Sequence, residues 1–186
     1  MKEEISWVYK VKRKSNGSVD YKARLVARGF SQSYGLDYEE TFSPVAKMTS
    51  VQAILSMAAS KGWKLWQLDV KNAFLYEDID REIYIEQPLG FKSKKFPDYV
   101  RHLKKAIYGL KQAPPSWFGK IAQYLSFCDY SSSSADASLF IKKDSKVRVL
   151  VLLYVDDMII TGNDEQEINR LKDELAIRFE MKNLRS

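Results

Sequence analysis

The sequence predicts an α+β fold in which an antiparallel sheet carries helices packed on one face. Three observations predict it. Short apolar runs rich in Val and Ile, Val149-Leu150-Val151-Leu152-Leu153 and Met158-Ile159-Ile160, read as buried strands. Other stretches repeat apolar residues at helical spacing between capping residues. A chain of 186 residues with 45% hydrophobic content can bury one substantial core. Neither a linker nor an internal repeat interrupts it, so residues 1–186 read as one domain.

Trp7 to Lys14 and Ser18 to Ala27 are expected strands, joined through the hairpin signal Ser15-Asn16-Gly17. Thr49 or Ser50 is expected to cap a helix with Val51, Ile54, Leu55 and Ala58 on one face, and Gly62 to close it. A strand from Lys64 to Val70 follows, then a short one at Ile83-Tyr84-Ile85. Pro114-Pro115 opens a second helix through Phe127, with Trp117, Ile121, Tyr124 and Leu125 facing inward. Ser131 to Ser134 reads as a polar loop. Leu139 to Lys143, Val147 to Val155 and Met158 to Thr161 read as strands. Asp164 with Glu167 forms a capping box for the last helix, whose apolar set is Ile168, Leu171, Leu175, Ile177 and Phe179.

Carboxylates mark the strand ends. Tyr154-Val155-Asp156-Asp157 lies between two apolar strands, and Leu65-Trp66-Gln67-Leu68-Asp69-Val70 is a short strand ending in an aspartate. Aspartates are common in turns, so a plain turn is one reading of the pair. Asp-Asp without a following Gly is, however, a poor two-residue turn. Adjacent carboxylates beside a buried sheet need a cation or strong hydrogen bonds. Three carboxylates at the ends of two strands suit two divalent ions in nucleotide joining.

At these residues the sequence resembles the reverse transcriptases of copia-type retrotransposons. Tyr154-Val155-Asp156-Asp157 and Leu68-Asp69-Val70-Lys71-Asn72-Ala73-Phe74-Leu75 carry the likeness. Tyr21 to Gly29, Glu40-Thr41-Phe42-Ser43-Pro44-Val45, Glu86-Gln87-Pro88, Tyr108 to Pro114 and Leu153 to Gly162 agree in order and spacing. The likeness runs from about Trp7 to Leu184. It implies the fingers and palm of a right-hand polymerase, with fingers built from the early hairpin.

The resemblance implies an RNA-directed DNA polymerase of the nucleotidyltransferase kind. A primer 3′-hydroxyl attacks the α-phosphorus of a deoxynucleotide and pyrophosphate leaves. Positioning and charge stabilisation do most of this work. Two Mg2+ ions are expected, with Mn2+ a substitute, and hard oxygen ligands suit them. Asp69 and Asp156 are expected to bridge both ions, the Val70 carbonyl to complete the shell, and Asp157 to turn partly away. Lys22 and Arg24 lie two apart on a predicted strand, so they share a face and could grip the triphosphate, or be ordinary solvated charges. Arg28 is a weaker candidate. Phe74 would lie under the sugar and exclude a 2′-hydroxyl, or be a core phenylalanine. Gln112 would frame the nucleotide and template base. Tyr154 would pack near the primer end, and Lys111 would face primer or template. The expected partners are an RNA or DNA template with its primer, deoxynucleoside triphosphates, and ribonuclease H, integrase and protease regions of a longer Pol polyprotein. By family, the expected location is a cytoplasmic virus-like particle or the nucleus.

Charge agrees with a nucleic-acid partner. The net charge is +6, from 30 basic and 24 acidic residues. Lys10, Lys12, Arg13, Lys14, Lys22, Arg24 and Arg28 form an early basic group, and Lys92, Lys94, Lys95, Arg101, Lys104, Lys105 and Lys111 a later one. The single Cys128 excludes an internal disulfide and a cysteine-rich zinc site, and reads as a buried small hydrophobe. His102, the only histidine, has no nucleophile elbow near it and reads as structural or exposed. Trp63, Trp66 and Trp117 read as core. The opening Met1-Lys2-Glu3-Glu4 is not a signal peptide, and no stretch is long enough to span a membrane.

Several positions depart from the family pattern. Pro115 and Gln52 stand where Arg is usual, Tyr76-Glu77 replaces a small turn ending in Gly, and Val19-Asp20-Tyr21 is one residue short. The chain stops soon after its last helix, so a truncated, inactive transposon remnant that at most binds nucleic acid is the alternative expectation. A nucleotidyl cyclase with a similar palm is a third, opposed by Lys111-Gln112-Ala113-Pro114 and the Lys22 to Arg28 segment.

Overall fold

The computed structural model describes residues 2–13, 17–76 and 78–185. Lys14 at the end of the first predicted strand, Ser15 and Asn16 of the predicted turn, and the departure at Glu77 lie outside the described residues. In chain order the elements begin with β1 (Lys2–Glu3), β2 (Ile5–Arg13) and β3 (Val19–Ala27), then α1 (Met48–Lys61) and β4 (Leu65–Val70). Next come β5 (Asp78–Ile85), β6 (Arg101–Lys105) and α2 (Ala113–Phe127). Then follow β7 (Ser131–Ser132), β8 (Leu139–Lys143), β9 (Arg148–Tyr154), β10 (Asp157–Gly162), α3 (Glu165–Phe179) and β11 (Met181–Arg185). The chain divides into two compact units, Met1–Thr41 with Phe74–Ser116, and Phe42–Ala73 with Trp117–Ser186. Each is described by itself.

In the first unit β2 and β3 pair as an antiparallel hairpin, with Lys10 opposite Lys22 and Val8 opposite Arg24. Strand alternation therefore sorts the hairpin into two faces. Lys10, Lys12, Lys22 and Arg24 share one. Trp7, Tyr9, Val11 and Tyr21 share the other, where Trp7 stacks on Tyr9 and donates from Nε1 to the Leu89 carbonyl at 3.1 Å. β5 pairs in parallel with β1 and antiparallel with β6. The sequence RHLKK hides β6, because only Leu103 interrupts a polar run and no alternation shows.

Two glycines fix the junction between the hairpin and the loop before α2. Gly109 has φ 92°, and a Cβ there would come within 1.9 Å of the Ala27 carbonyl oxygen. A Cβ on Gly29 would come equally close, at 1.9 Å, to the Gly109 oxygen. Only a hydrogen at each Cα lets these backbones meet, and the Ala27 N–H then donates to the Tyr108 carbonyl at 2.7 Å.

The second unit is a six-stranded sheet in the order β11-β4-β10-β9-β8-β7. Every neighbouring pair in it is antiparallel. The expectation of helices on one face is corrected: they lie on both. Ile54 of α1 packs with Leu150, Leu152, Leu65 and Ile159. The opposite face meets α2 and α3, through Phe118 against Phe140 and Lys172 over the Trp66 ring. The physical reason is in β9, where Val149 through Leu153 are all buried. A strand with no polar alternation needs cover on both sides.

Other expectations are adjusted. Gly62 closes α1 at φ 64°, as expected. Neither Thr49 nor Ser50 caps the other end. The N-cap is Lys47, which makes no side-chain cap bond; Asp136 instead accepts from the Lys47 N–H at 3.0 Å and the Ser50 hydroxyl at 2.5 Å. Leu55 and Ile177 point outward, at 42% and 85% exposure, because each falls off its helix's buried stripe. Ser131 and Ser132 pair with β8 rather than looping free. Asp164 caps α3 by accepting from the Glu167 N–H at 2.9 Å. The Glu167 carboxylate does not complete the capping box with Asp164; it pairs with Lys142 and Arg170. Cys128 is buried and His102 is exposed beside Tyr84.

Candidate active site

β4 and β10 are neighbouring strands whose register sets Asp157 opposite Asp69 and Met158 opposite Leu68. Directly paired residues point to the same face. Asp69 and Asp157 therefore stand together, both half-buried. On the far side of β10, Tyr154 of β9 pairs with Asp157, so its exposed ring side belongs to the same face. The Gln67 amide, two residues before Asp69, donates to Asp157 Oδ1 at 3.3 Å.

The turn between β9 and β10 is Val155-Asp156, one residue earlier than the Asp-Asp tip read from the sequence. Asp157 is thus the first residue of a strand rather than part of the turn. That is why it faces Asp69 instead of turning away. Val155 takes φ 53°, a rare conformation for a β-branched residue, and such strain collects at working sites. Two hydrogen bonds hold the turn. The Val70 N–H donates to the Asp156 carbonyl at 2.9 Å, and the Trp117 indole donates to the Val155 carbonyl at 2.9 Å. The Asp156 side chain is half-buried, and its Oδ1 is a buried oxygen that receives no hydrogen bond from the described residues.

Chemically, this end of the sheet offers hard carboxylate oxygens on two adjacent strands and at the turn between β9 and β10. Among the described residues no group of three acidic, His or Cys side chains converges closely enough to hold a metal. Oxygens from a bound phosphate would have to complete a shell, which is how Mg2+ is commonly held.

The remaining candidates lie in the first unit. Lys22 and Arg24 share the basic face of the hairpin, and both are half-buried. The Arg24 guanidinium lies over the Tyr108 ring, 5.5 Å from its centroid. Phe74 is 5% exposed and meets Tyr108 edge-on at 4.7 Å, so it is a packed residue in this structure. Tyr108 thus carries two predicted nucleotide residues. Its place inside Tyr108-Gly109-Leu110 was visible in the sequence, but its role as a support was not. Arg28 pairs with Glu4.

Gln112 is held by a buried residue the sequence reading missed. Gln32 is 4% exposed, donates to Gln112 Oε1 at 3.1 Å, and accepts from the Lys111 N–H at 2.8 Å. The Lys111 ammonium is engaged by the Gln32 carbonyl and the Tyr38 hydroxyl, at 3.2 and 3.1 Å. It is therefore turned into its own unit. Gln112 lines a cavity of about 380 Å3 with Tyr38, Asp78, Pro115 and Ser116. Pro115, where the family pattern has Arg, borders the same space.

Comparisons with known proteins agree with one another. The family described as reverse transcriptase (RNA-dependent DNA polymerase) matches residues 3–186. The chain is 47% identical over 177 residues to the retrovirus-related Pol polyprotein from transposon RE2 of Arabidopsis thaliana, covering 95% of this chain and 12% of that protein. It is 46% identical over 183 residues to the corresponding polyprotein from transposon TNT 1-94 of Nicotiana tabacum, covering 97% of this chain and 14% of that protein. It is 34% identical over 188 residues to the transposon Ty1-BL Gag-Pol polyprotein of Saccharomyces cerevisiae, covering 97% of this chain and 10% of that protein. This chain therefore belongs to the reverse transcriptase (RNA-dependent DNA polymerase) family, of the kind carried by the Pol polyproteins of copia-type transposons.

Proposed function

We propose that this chain carries the polymerising site of an RNA-directed DNA polymerase, adding deoxynucleotides to a primer 3′ end. The observation that carries the reading is the opposition of Asp69 and Asp157 on adjacent strands, with Asp156 in the turn beside them. Opposed carboxylates repel, so a fold that retains them gains from a cation between them. The donor set fits, because carboxylate oxygens are the hard ligands that Mg2+ or Mn2+ takes. Asp69, Asp156 and Asp157 do not converge on one point by themselves, so they would hold two such ions only together with phosphate oxygens of a bound nucleotide, with the Val70 carbonyl as a further ligand. When bound, the ions would lower the charge cost at the attacking and leaving oxygens.

The chain's own residues then bind and orient. Lys22 and Arg24 offer an ammonium and a planar guanidinium to the triphosphate. Arg24 is pre-oriented by Tyr108. Gln112, fixed by Gln32, offers its amide to the nucleotide and template base. Tyr154, 52% exposed, offers a ring to the primer end. Phe74, packed against Tyr108, would select against a 2′-hydroxyl by shape only where nucleotide binding uncovers its ring. Lys111 would act through the segment it braces. The partners are a primed RNA or DNA template, deoxynucleoside triphosphates and further regions of a Pol polyprotein.

Primer extension on poly(rA)/oligo(dT) with Mg2+ tests this reading, comparing the chain with Asp156→Asn. Extension abolished by the substitution is the expected result. Absence of extension by the unsubstituted chain, with salt-sensitive duplex binding retained, would instead identify a binding remnant.

A further inference from the structure

We propose that Trp117 is a positioning residue that holds the carboxylate-bearing turn in its working shape, an inference that rests on the polymerase reading above. The Val155 carbonyl at that turn accepts from Trp117 Nε1 at 2.9 Å. Val155 sits at φ 53°, where a β-branched residue does not stay without restraint. The residue after it bears one carboxylate, and the next bears the second.

The indole is well placed to restrain. Trp117 is 3% exposed and meets Phe179 edge-on, at 5.4 Å and 88°. Phe179 is itself 1% exposed, at the last position of α3. A ring packed this way cannot swing its N–H elsewhere. On the other flank, the Val70 N–H donates to the Asp156 carbonyl at 2.9 Å. Consecutive carbonyls of the turn are thus tied to different elements, one by a side chain and one by β4. The indole bond is not simply what any buried tryptophan finds. Trp66, on β4, has a buried Nε1 with no hydrogen-bond partner among the described residues, so the two indoles of this unit are held differently.

The test uses Trp117→Phe, which keeps a ring against Phe179 and removes the N–H. Primer extension, Mn2+ titration by calorimetry and thermal melting are compared for the unsubstituted chain and the variant. Positioning predicts a kcat about tenfold lower, equivalent to about 1.4 kcal/mol, with KM for the deoxynucleotide within about twofold. It also predicts Mn2+ affinity lowered several-fold and a melting temperature within a few degrees. The same substitution in a Val155→Gly background should cost less than about twofold in kcat, because glycine needs no restraint at this φ. Unchanged kcat and Mn2+ affinity would overturn the proposal, as would equal losses in both backgrounds. If the unsubstituted chain does not extend primers, the polymerase reading fails, and the Mn2+ comparison alone decides the role of Trp117. If Trp117→Phe does not fold, hydrogen exchange of the indole N–H groups in the unsubstituted chain decides. Slow exchange at Trp117 relative to Trp66 supports the tie, and equal exchange overturns it.

Discussion

Asp157 stands opposite Asp69 across β4 and β10, so two like charges share one face of the sheet. Directly opposed like charges destabilise an antiparallel pair by about 0.2–1 kcal/mol. Asp157→Asn should therefore stabilise the cation-free protein by about 0.5 kcal/mol while removing polymerase activity. Urea unfolding in chelator checks the first part. Adding Mg2+ should raise the melting temperature of the unsubstituted chain and move that of the variant less, because a ligand stabilises only the state that binds it.

A second carboxylate does structural work. Asp136 is 4% exposed and accepts from the Ser138 hydroxyl, the Ser50 hydroxyl and the Lys47 and Ser138 N–H groups. Burial pushes its carboxyl up, but the Ser138 and Ser50 hydroxyls and the two backbone donors together hold it well below the usual carboxylate range. Asp136→Asn should cost about 2–4 kcal/mol, because an amide cannot accept at both former oxygens. Chemical denaturation of the two proteins checks it.

The same carboxylate gives a pH dependence of defined sign. Its folded pKa lies below its unfolded value, so its contribution is complete above about pH 4, the ordinary aspartate range. It falls progressively as the pH drops further toward the folded value. The acid side of the stability profile should therefore be shallower for Asp136→Asn than for the unsubstituted chain. Melting temperatures from pH 2 to pH 6 measure it.

Gly109→Ala should cost about 3 kcal/mol or more, since its Cβ would meet the Ala27 oxygen at 1.9 Å and its φ is 92°. Gly119→Ala is the control. Gly119 lies inside α2 with nothing within 4 Å of an added Cβ. That change should stabilise by about 0.5–1 kcal/mol. Opposite signs for the same chemical substitution, read by thermal melting, are the expected outcome.

Arg24→Lys keeps the charge and loses the planar group that lies over Tyr108. The expected result is a KM for the deoxynucleotide raised about tenfold, about 1.4 kcal/mol, with kcat little changed. Steady-state primer extension over a range of nucleotide concentrations separates the two.

Much of the architecture was legible because apolar runs and caps act locally. The Leu139–Lys143 strand, the Gly62 closure and the Asp164 cap need only nearby residues. Features that depend on distant partners were not legible. Nothing near Lys47 announces that its N–H is met by Asp136, 89 residues away. The continuous run Val149 to Leu153 reads as a buried strand and so carries the signal for helices on both faces, although the expected fold placed them on one. At the site, the residue types could be read from the sequence. The turn's phase could not, since a shift of one residue changes which aspartate meets Asp69. Tyr108 and Gln32 support their neighbours through packing, and a sequence does not display support.

The strand that carries Asp69 has its hydrogen-bonded neighbours at residues 157–161 and 181–185. Its pairings are thus among the most non-local in the chain, and non-local pairings form late because loop closure must precede them. A ribosome releases Asp69 long before its partner strand exists. Asp69 therefore faces no opposed carboxylate until the strand beginning at Asp157 has been made and paired.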